Sequence, residues 1–184
     1  MRKELLSAAL AAGVCLAAAG AAGAARQDAG ARGRELAAHF NKSKHKVKEK
    51  RGVRLDVFLE MRAEPAARAE PAAYSGTYQS EPGFSLELRV GSDGSAEGRG
   101  SEPSARGPRR FTLRGARVSG AVLTGTRVYD DGAAEPVEAV FINLTARHAP
   151  DDPGTATFGL GVVFDPPKET GSFVVGRLFY ARKN

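Results

Sequence analysis

Seven cations crowd into residues 42–54: Lys42, Lys44, Lys46, Lys48, Lys50, Arg51 and Arg54, opposed there only by Glu49. Such a stripe can hold a protein to an anionic polymer or membrane surface by charge alone. Elsewhere the candidates are sparse. His148 stands three and four positions before Asp151 and Asp152, a set that could bind a metal or trade protons. Yet His148-Ala-Pro-Asp-Asp-Pro-Gly154 has the composition of a tight, solvated turn. Asp130/Asp131 and Glu135/Glu138 are neighbours in sequence, whereas glycosidase chemistry needs two carboxylates converging across a cleft at about 5–9.5 Å. Ser43-Lys-His-Lys46 fits S-x-x-K but lacks S-D-N and K-T-G partners, since Lys168-Glu-Thr-Gly171 carries an extra residue. Gly159-Leu-Gly161 lacks the third glycine and the following helix of a dinucleotide loop. Asn143-Leu-Thr145 matches a glycosylation sequon inside a strand-like segment. The expectation is a protein without catalytic residues, metal site or cofactor, and not an enzyme.

The lysines recur at every second position, which on a helix would spread them round the circumference. Residues 26–54 are therefore expected to form a basic, partly disordered leader. The run has no interleaved aromatics for base stacking, so nucleic acid is not expected as a partner. From Tyr74 onward 13 Lys and Arg balance 13 Asp and Glu, so the sequence pI of about 9.7 belongs to the leader.

The elements that would carry a site are strands. In Phe84-Ser-Leu-Glu-Leu-Arg-Val90 the apolar residues alternate with polar ones, the period of a half-buried strand, and Gly91-Ser-Asp-Gly94 turns the chain. Further strands fit 74–79, 95–100, 110–114, 121–129, 137–147, 155–164 and 172–182, with no helix-length segment between them for parallel crossovers. The fold class is all-β: a small antiparallel up-and-down barrel of about eight strands over residues 74–184.

The chain opens with Met1-Arg2-Lys3, an alanine-rich apolar run from Leu5 to Ala22, and small residues at Ala22-Gly23-Ala24. This predicts a secretory signal peptide over residues 1–25, cleaved near Ala24 or Ala25, and a periplasmic or secreted product with no membrane span after cleavage. Val14 before Cys15 does not suit lipid attachment. Cys15 is the one cysteine, so no intrachain disulfide can form.

Between leader and barrel, Leu55, Phe58 and Leu59 make a helical stripe within Arg54–Arg62, and Ala63-Glu-Pro-Ala-Ala67 repeats as Ala69-Glu-Pro-Ala-Ala73. Residues 55–73 are thus expected to be a short helix and a semi-stiff linker. Leu36 and Phe40 mark a second short helical signal. The late strands, 140–144, 158–164 and 173–180, are apolar on both faces, so something must cover the outer one: a helix of this chain, another subunit or an apolar molecule. The glycines inside strands, Gly98, Gly100, Gly125, Gly159, Gly161 and Gly176, fit barrel corners or a close-approaching ligand.

Tyr74-Ser-Gly-Thr-Tyr78 leading into Phe84–Gly98 resembles the opening strands of calycin-type barrels such as the avidins and lipocalins. The resemblance implies the architecture alone, a small antiparallel barrel. Tryptophan, on which both families' sites lean, is absent here, so their ligands do not carry over. Two functions follow. One is an exported barrel binding a small apolar or amphipathic ligand, lined by Tyr129, Phe141, Phe158 and Tyr180. The other is an envelope-associated structural or interaction module, or a secreted inhibitor, whose basic run meets an anionic surface or partner. Inward-facing bulk would favour the second; inward-facing Gly125, Gly159 and Gly161 the first.

Overall fold

The computed structural model describes residues 28–50, 52–80, 83–105, 107–164 and 176–183. The predicted signal peptide lies outside them. Residues 28–38 form helix α1. The strands are β1 (Lys42–Lys50), β2 (Val53–Pro65), β3 (Gly76–Ser80), β4 (Phe84–Val90), β5 (Ser95–Glu102), β6 (Arg109–Ser119), β7 (Val122–Tyr129), β8 (Ala134–Arg147), β9 (Thr155–Phe164) and β10 (Gly176–Arg182), with a 3-10 turn at Pro71–Tyr74.

All pairings are antiparallel. The order β8-β7-β6-β5-β4-β3-β10-β9 closes on itself through the β9–β8 pair, making the expected eight-stranded barrel. Closure gives each of these eight strands a neighbour on both sides, although β7 reaches only as far as Val140 along β8. Strand β6 bulges against both neighbours: Leu113 to Ala116 stands opposite Gly98 to Ala96 of β5, and Arg114 to Arg117 opposite Thr126 to Thr124 of β7, so an extra residue bends β6 against its partners. At the β4–β5 turn Gly94 takes φ 79° beside the Val118 carbonyl, a conformation and a space that a side chain would oppose.

The segment before the barrel differs from expectation. Arg54–Arg62 lies within strand β2, not a helix, and the lysine-rich run is strand β1; together they form one long hairpin. The apolar spacing of Leu55, Phe58 and Leu59 reads as helical, but Val53, Leu55, Val57, Leu59 and Met61 also recur at period two. That second period prevails because the free edge of β8 past β7 accepts β2: Ile142–Arg147 pairs with Glu60–Pro65. Pairing satisfies backbone groups that would otherwise end against the barrel wall.

A helix of this chain covers the outer face of the late strands, and it is α1. Its residues Leu36 and Ala37, with Phe40 just beyond, are buried in the same core cluster as Val140 and Ile142. A Cβ at Gly161 would stand 2.7 Å from the Phe40 ring. The missing side chain at 161 is the seat for that ring. Glu138 on β8 accepts from Arg32 Nε at 2.8 Å, and Asn41 Oδ1 accepts from Ala63 N at 2.8 Å, so polar contacts pin both ends of the helical segment.

Candidate functional site

All four residues expected to line a ligand, Tyr129, Phe141, Phe158 and Tyr180, face the barrel interior. Direct pairing puts Tyr180, Leu160 and Phe141 on one inward row, and Tyr129 with Phe111 on another. Their neighbours fill the space. Gly98 and Gly100, inward on β5, leave room that Leu113 and Phe111 occupy: a Cβ at Gly98 would meet Leu113 at 2.9 Å. The cavity bounded by Leu86, Phe111, Leu123, Leu160 and Tyr180 measures about 20 Å³, room for about one water. Of the three glycines that would open a pocket, Gly159 and Gly161 face outward, beneath Phe179 and Phe40, and Gly125 is closed by Ala116 at 2.8 Å from its would-be Cβ.

Each end of the barrel is plugged differently. At one end Tyr74, from the 3-10 turn, stacks on Phe141 with ring centroids 4.1 Å apart, and Phe158 stacks on Phe141 at 6.3 Å. The Tyr74 hydroxyl donates to the Ala66 carbonyl at 2.9 Å and accepts from Arg68 N at 2.8 Å. Arg68 and Arg182 place guanidiniums over the Phe158 ring. The Tyr78 hydroxyl donates to the Tyr74 carbonyl, and burial pushes it, and the Tyr180 hydroxyl that lies toward Arg127 and Glu102, up to about 12.

At the other end the plug is ionic. Arg127, only 15 % exposed, reaches Glu102 at 3.4 Å and Glu135 at 3.2 Å, and the Tyr129 hydroxyl donates to the same Glu135 oxygen at 3.1 Å. Arg109 lies 3.5 Å over the Tyr129 ring and pairs with Asp131 at 3.1 Å. The Arg109 guanidinium holds the Asp131 carboxyl below its ordinary range. Burial raises the Tyr129 hydroxyl well above its usual value. Guanidiniums and carboxylates here are spent on one another, which keeps charge tolerable at low exposure. The alternation Leu123, Gly125, Arg127, Tyr129 along β7 was the available signal that an arginine points inward.

The remaining candidates resolve as connections. Asp152 accepts from His148 N at 2.9 Å and Gly154 N at 2.8 Å; those backbone donors lower its carboxyl, as expected of a turn. Asp131 closes the β7–β8 turn on Ala133 N at 3.0 Å. Glu138 is engaged with Arg32 on the outside of the wall while Glu135 lies at the ionic plug, so these two do not converge. Asn143 is exposed on β8. Among the described residues no group of His, Cys, Asp and Glu is placed to hold a metal ion, and no helix is long and apolar enough to cross a membrane.

What stands out is the hairpin. Its register, Lys42↔Met61 through Lys50↔Val53, spans nine pairs, about 30 Å at strand rise. Pairing of β2 with β8 stops at Glu60↔Arg147. Residues 53–59 and their β1 partners therefore form an arm that continues past the aromatic end of the barrel. Lys42, Lys44 and Lys46 share one face, because alternate residues of a strand do. A groove of about 1060 Å³ lies at the same end, between α1, the β2 exit and the β4–β5 and β6–β7 turns, lined by Gly33, Ala38, Pro65, Tyr74, Gly94 and Gly120 among others.

No protein-family model matches this chain, and no curated protein or solved structure is significantly similar to it.

Proposed function

We propose that this is an exported, non-enzymatic interaction module of the cell envelope, in which the barrel is a self-filled scaffold and the β1–β2 arm is the surface that meets an anionic partner. The observation that carries the reading is the contrast of volume and charge: an interior cavity of about 20 Å³, against an arm whose first strand bears a lysine at every second position. A ligand-holding barrel needs a pocket of about 300 Å³ or more. Export rests on the basic opening, apolar run and small residues of the first 25 positions.

A small apolar or amphipathic ligand is the second reading, supported by the groove of about 1060 Å³. It would sit outside the barrel, against Tyr74 and α1.

Two measurements test the pair. A native mass spectrum of the processed protein from an exporting cell's envelope fraction is expected to give the bare polypeptide; a reproducible added mass that leaves on denaturation would favour the groove. Retention on immobilised heparin is expected to fall with salt and to disappear in Lys42→Gln/Lys44→Gln/Lys46→Gln, with thermal stability unchanged. Unchanged retention in that variant would sink the arm's role. Point substitution is the right tool, because deleting the whole leader would also strip Leu36 and Phe40 from the barrel wall.

A further inference from the structure

We infer that the lysine-bearing face of the β1–β2 arm is a lipid-binding surface that lies on an anionic bilayer, with Val57 and Leu59 entering the boundary between headgroups and acyl chains. The inference rests on the reading of the arm as the contact surface and names its partner.

The register carries it. Residues directly opposite in an antiparallel pair point to the same side. Lys44 stands opposite Leu59 and Lys46 opposite Val57, with Lys42 opposite Met61 at the root. One face thus joins a row of ammonium groups to a row of aliphatic side chains. The other face takes Ser43, His45, Val47 and Glu49 against Glu60, Phe58, Asp56 and Arg54. Every carboxylate of the paired hairpin segment falls on that second face, where Asp56 meets Arg54 at 3.6 Å and Glu60 meets Arg147 at 3.1 Å. On the first face, no carboxylate among the described residues is within ion-pair distance of Lys42, Lys44 or Lys46. The two strands have sorted their charge by side.

A bilayer surface is the partner that uses both rows. Anionic headgroups attract the lysines, and lysine stems lie along apolar surface while their heads rise to phosphate. The aliphatic row adds the apolar term that fixes an amphipathic element in the interface. A nucleic acid would use the lysines but not Val57 and Leu59, and the arm's aromatic pair, His45 and Phe58 at 6.0 Å, is on the opposite face. A second copy adding its own β1 to the open edge of this one would bring two lysine rows together, a recognised safeguard against edge pairing.

The test is co-sedimentation of the processed protein with vesicles of phosphatidylcholine alone and of phosphatidylcholine with phosphatidylglycerol, beside heparin retention. Binding is expected only to the phosphatidylglycerol vesicles. Since each basic residue at an anionic surface contributes roughly five-fold, Lys42→Gln/Lys44→Gln/Lys46→Gln should lose on the order of 100-fold. Val57→Ser/Leu59→Ser should lose roughly ten-fold or more on vesicles while keeping its heparin retention. As a check independent of that double variant, an environment-sensitive dye on Leu59→Cys should shift to the blue on phosphatidylglycerol vesicles and the same dye on His45→Cys should not, each in the processed protein, whose introduced cysteine is then the one site for the dye. Heparin retention without vesicle binding, or equal shifts at the two labels, would overturn the lipid surface and leave a polyanion-binding arm. Loss of both vesicle and heparin binding in the unaltered protein would remove the arm's proposed role altogether.

Discussion

Strands β8 and β2 run side by side, pair with one another, and end in opposite circumstances. Along β8, Ala139, Val140, Phe141 and Ile142 are all at 0 % exposure, so both faces of the strand are buried, one by the barrel interior and one by α1. Along β2, Ala63 is still in the core, Met61 packs at its margin, and Val57 and Leu59 are half-buried beyond the last β8 pair. The same period of two therefore builds a wall where a second layer exists and a two-sided ribbon where it does not. A side chain's fate is set by what lies across from its face, more than by its own hydropathy.

The contrast is broken hardest at Phe141. Phe141→Ala removes the ring on which Tyr74 and Phe158 stack and should cost about 3–5 kcal/mol, read as a lower urea midpoint. A change of that size in the lysine variants instead would mean the arm, too, is a packed structural element; they are expected to stay within about 0.5 kcal/mol of the parent. Next comes Gly159→Ala, whose new Cβ would press on the Tyr180 carbonyl across the β9–β10 pair. A loss of about 1–3 kcal/mol is expected. Gly161→Ala should cost less than Gly159→Ala, because its obstruction is the movable far edge of the Phe40 ring. Equal losses would indicate that α1 is held as rigidly as the sheet.

The smallest effect concerns the hold on α1. Arg32 beside it keeps the Glu138 carboxyl below its ordinary range. A carboxylate depressed in the folded state contributes stability above its unfolded value of about 4.3 and loses it as pH falls through the lowered folded value. Arg32 is 43 % exposed, so solvent screening limits the contribution to under about 1 kcal/mol. Glu138→Gln should flatten the acid side of the stability profile by that amount; an unchanged profile would assign the docking of α1 to Leu36 and Phe40 alone.

Much of the barrel is legible in the chain. Phe84-Ser-Leu-Glu-Leu-Arg-Val90 is strand β4 at both its ends, and Thr155–Phe164 is β9 likewise. The need for a cover over the late strands also follows from their two apolar faces. The hairpin was equally visible, since lysine at every second position is a strand's period, but a run so charged offers no core to argue for a strand. Its stability comes from β2, and β2 in turn from a stretch of β8 edge that only the closed barrel leaves open. The inward turn of Arg127 and Glu102 was hidden for a related reason: burial of charge is decided by partners, and theirs come from strands 8 and 25 residues apart.

By itself, then, the sequence determined the strand period, the turns and the concentration of positive charge before Tyr74, because each depends on residues within a few positions of one another. Whether the barrel is filled, which helix covers it, and which face of the arm carries the lysines together with Val57 and Leu59 were decided by tertiary structure. Each of these depends on register between strands, and register is set by where distant segments can bury apolar surface and complete their backbone hydrogen bonds.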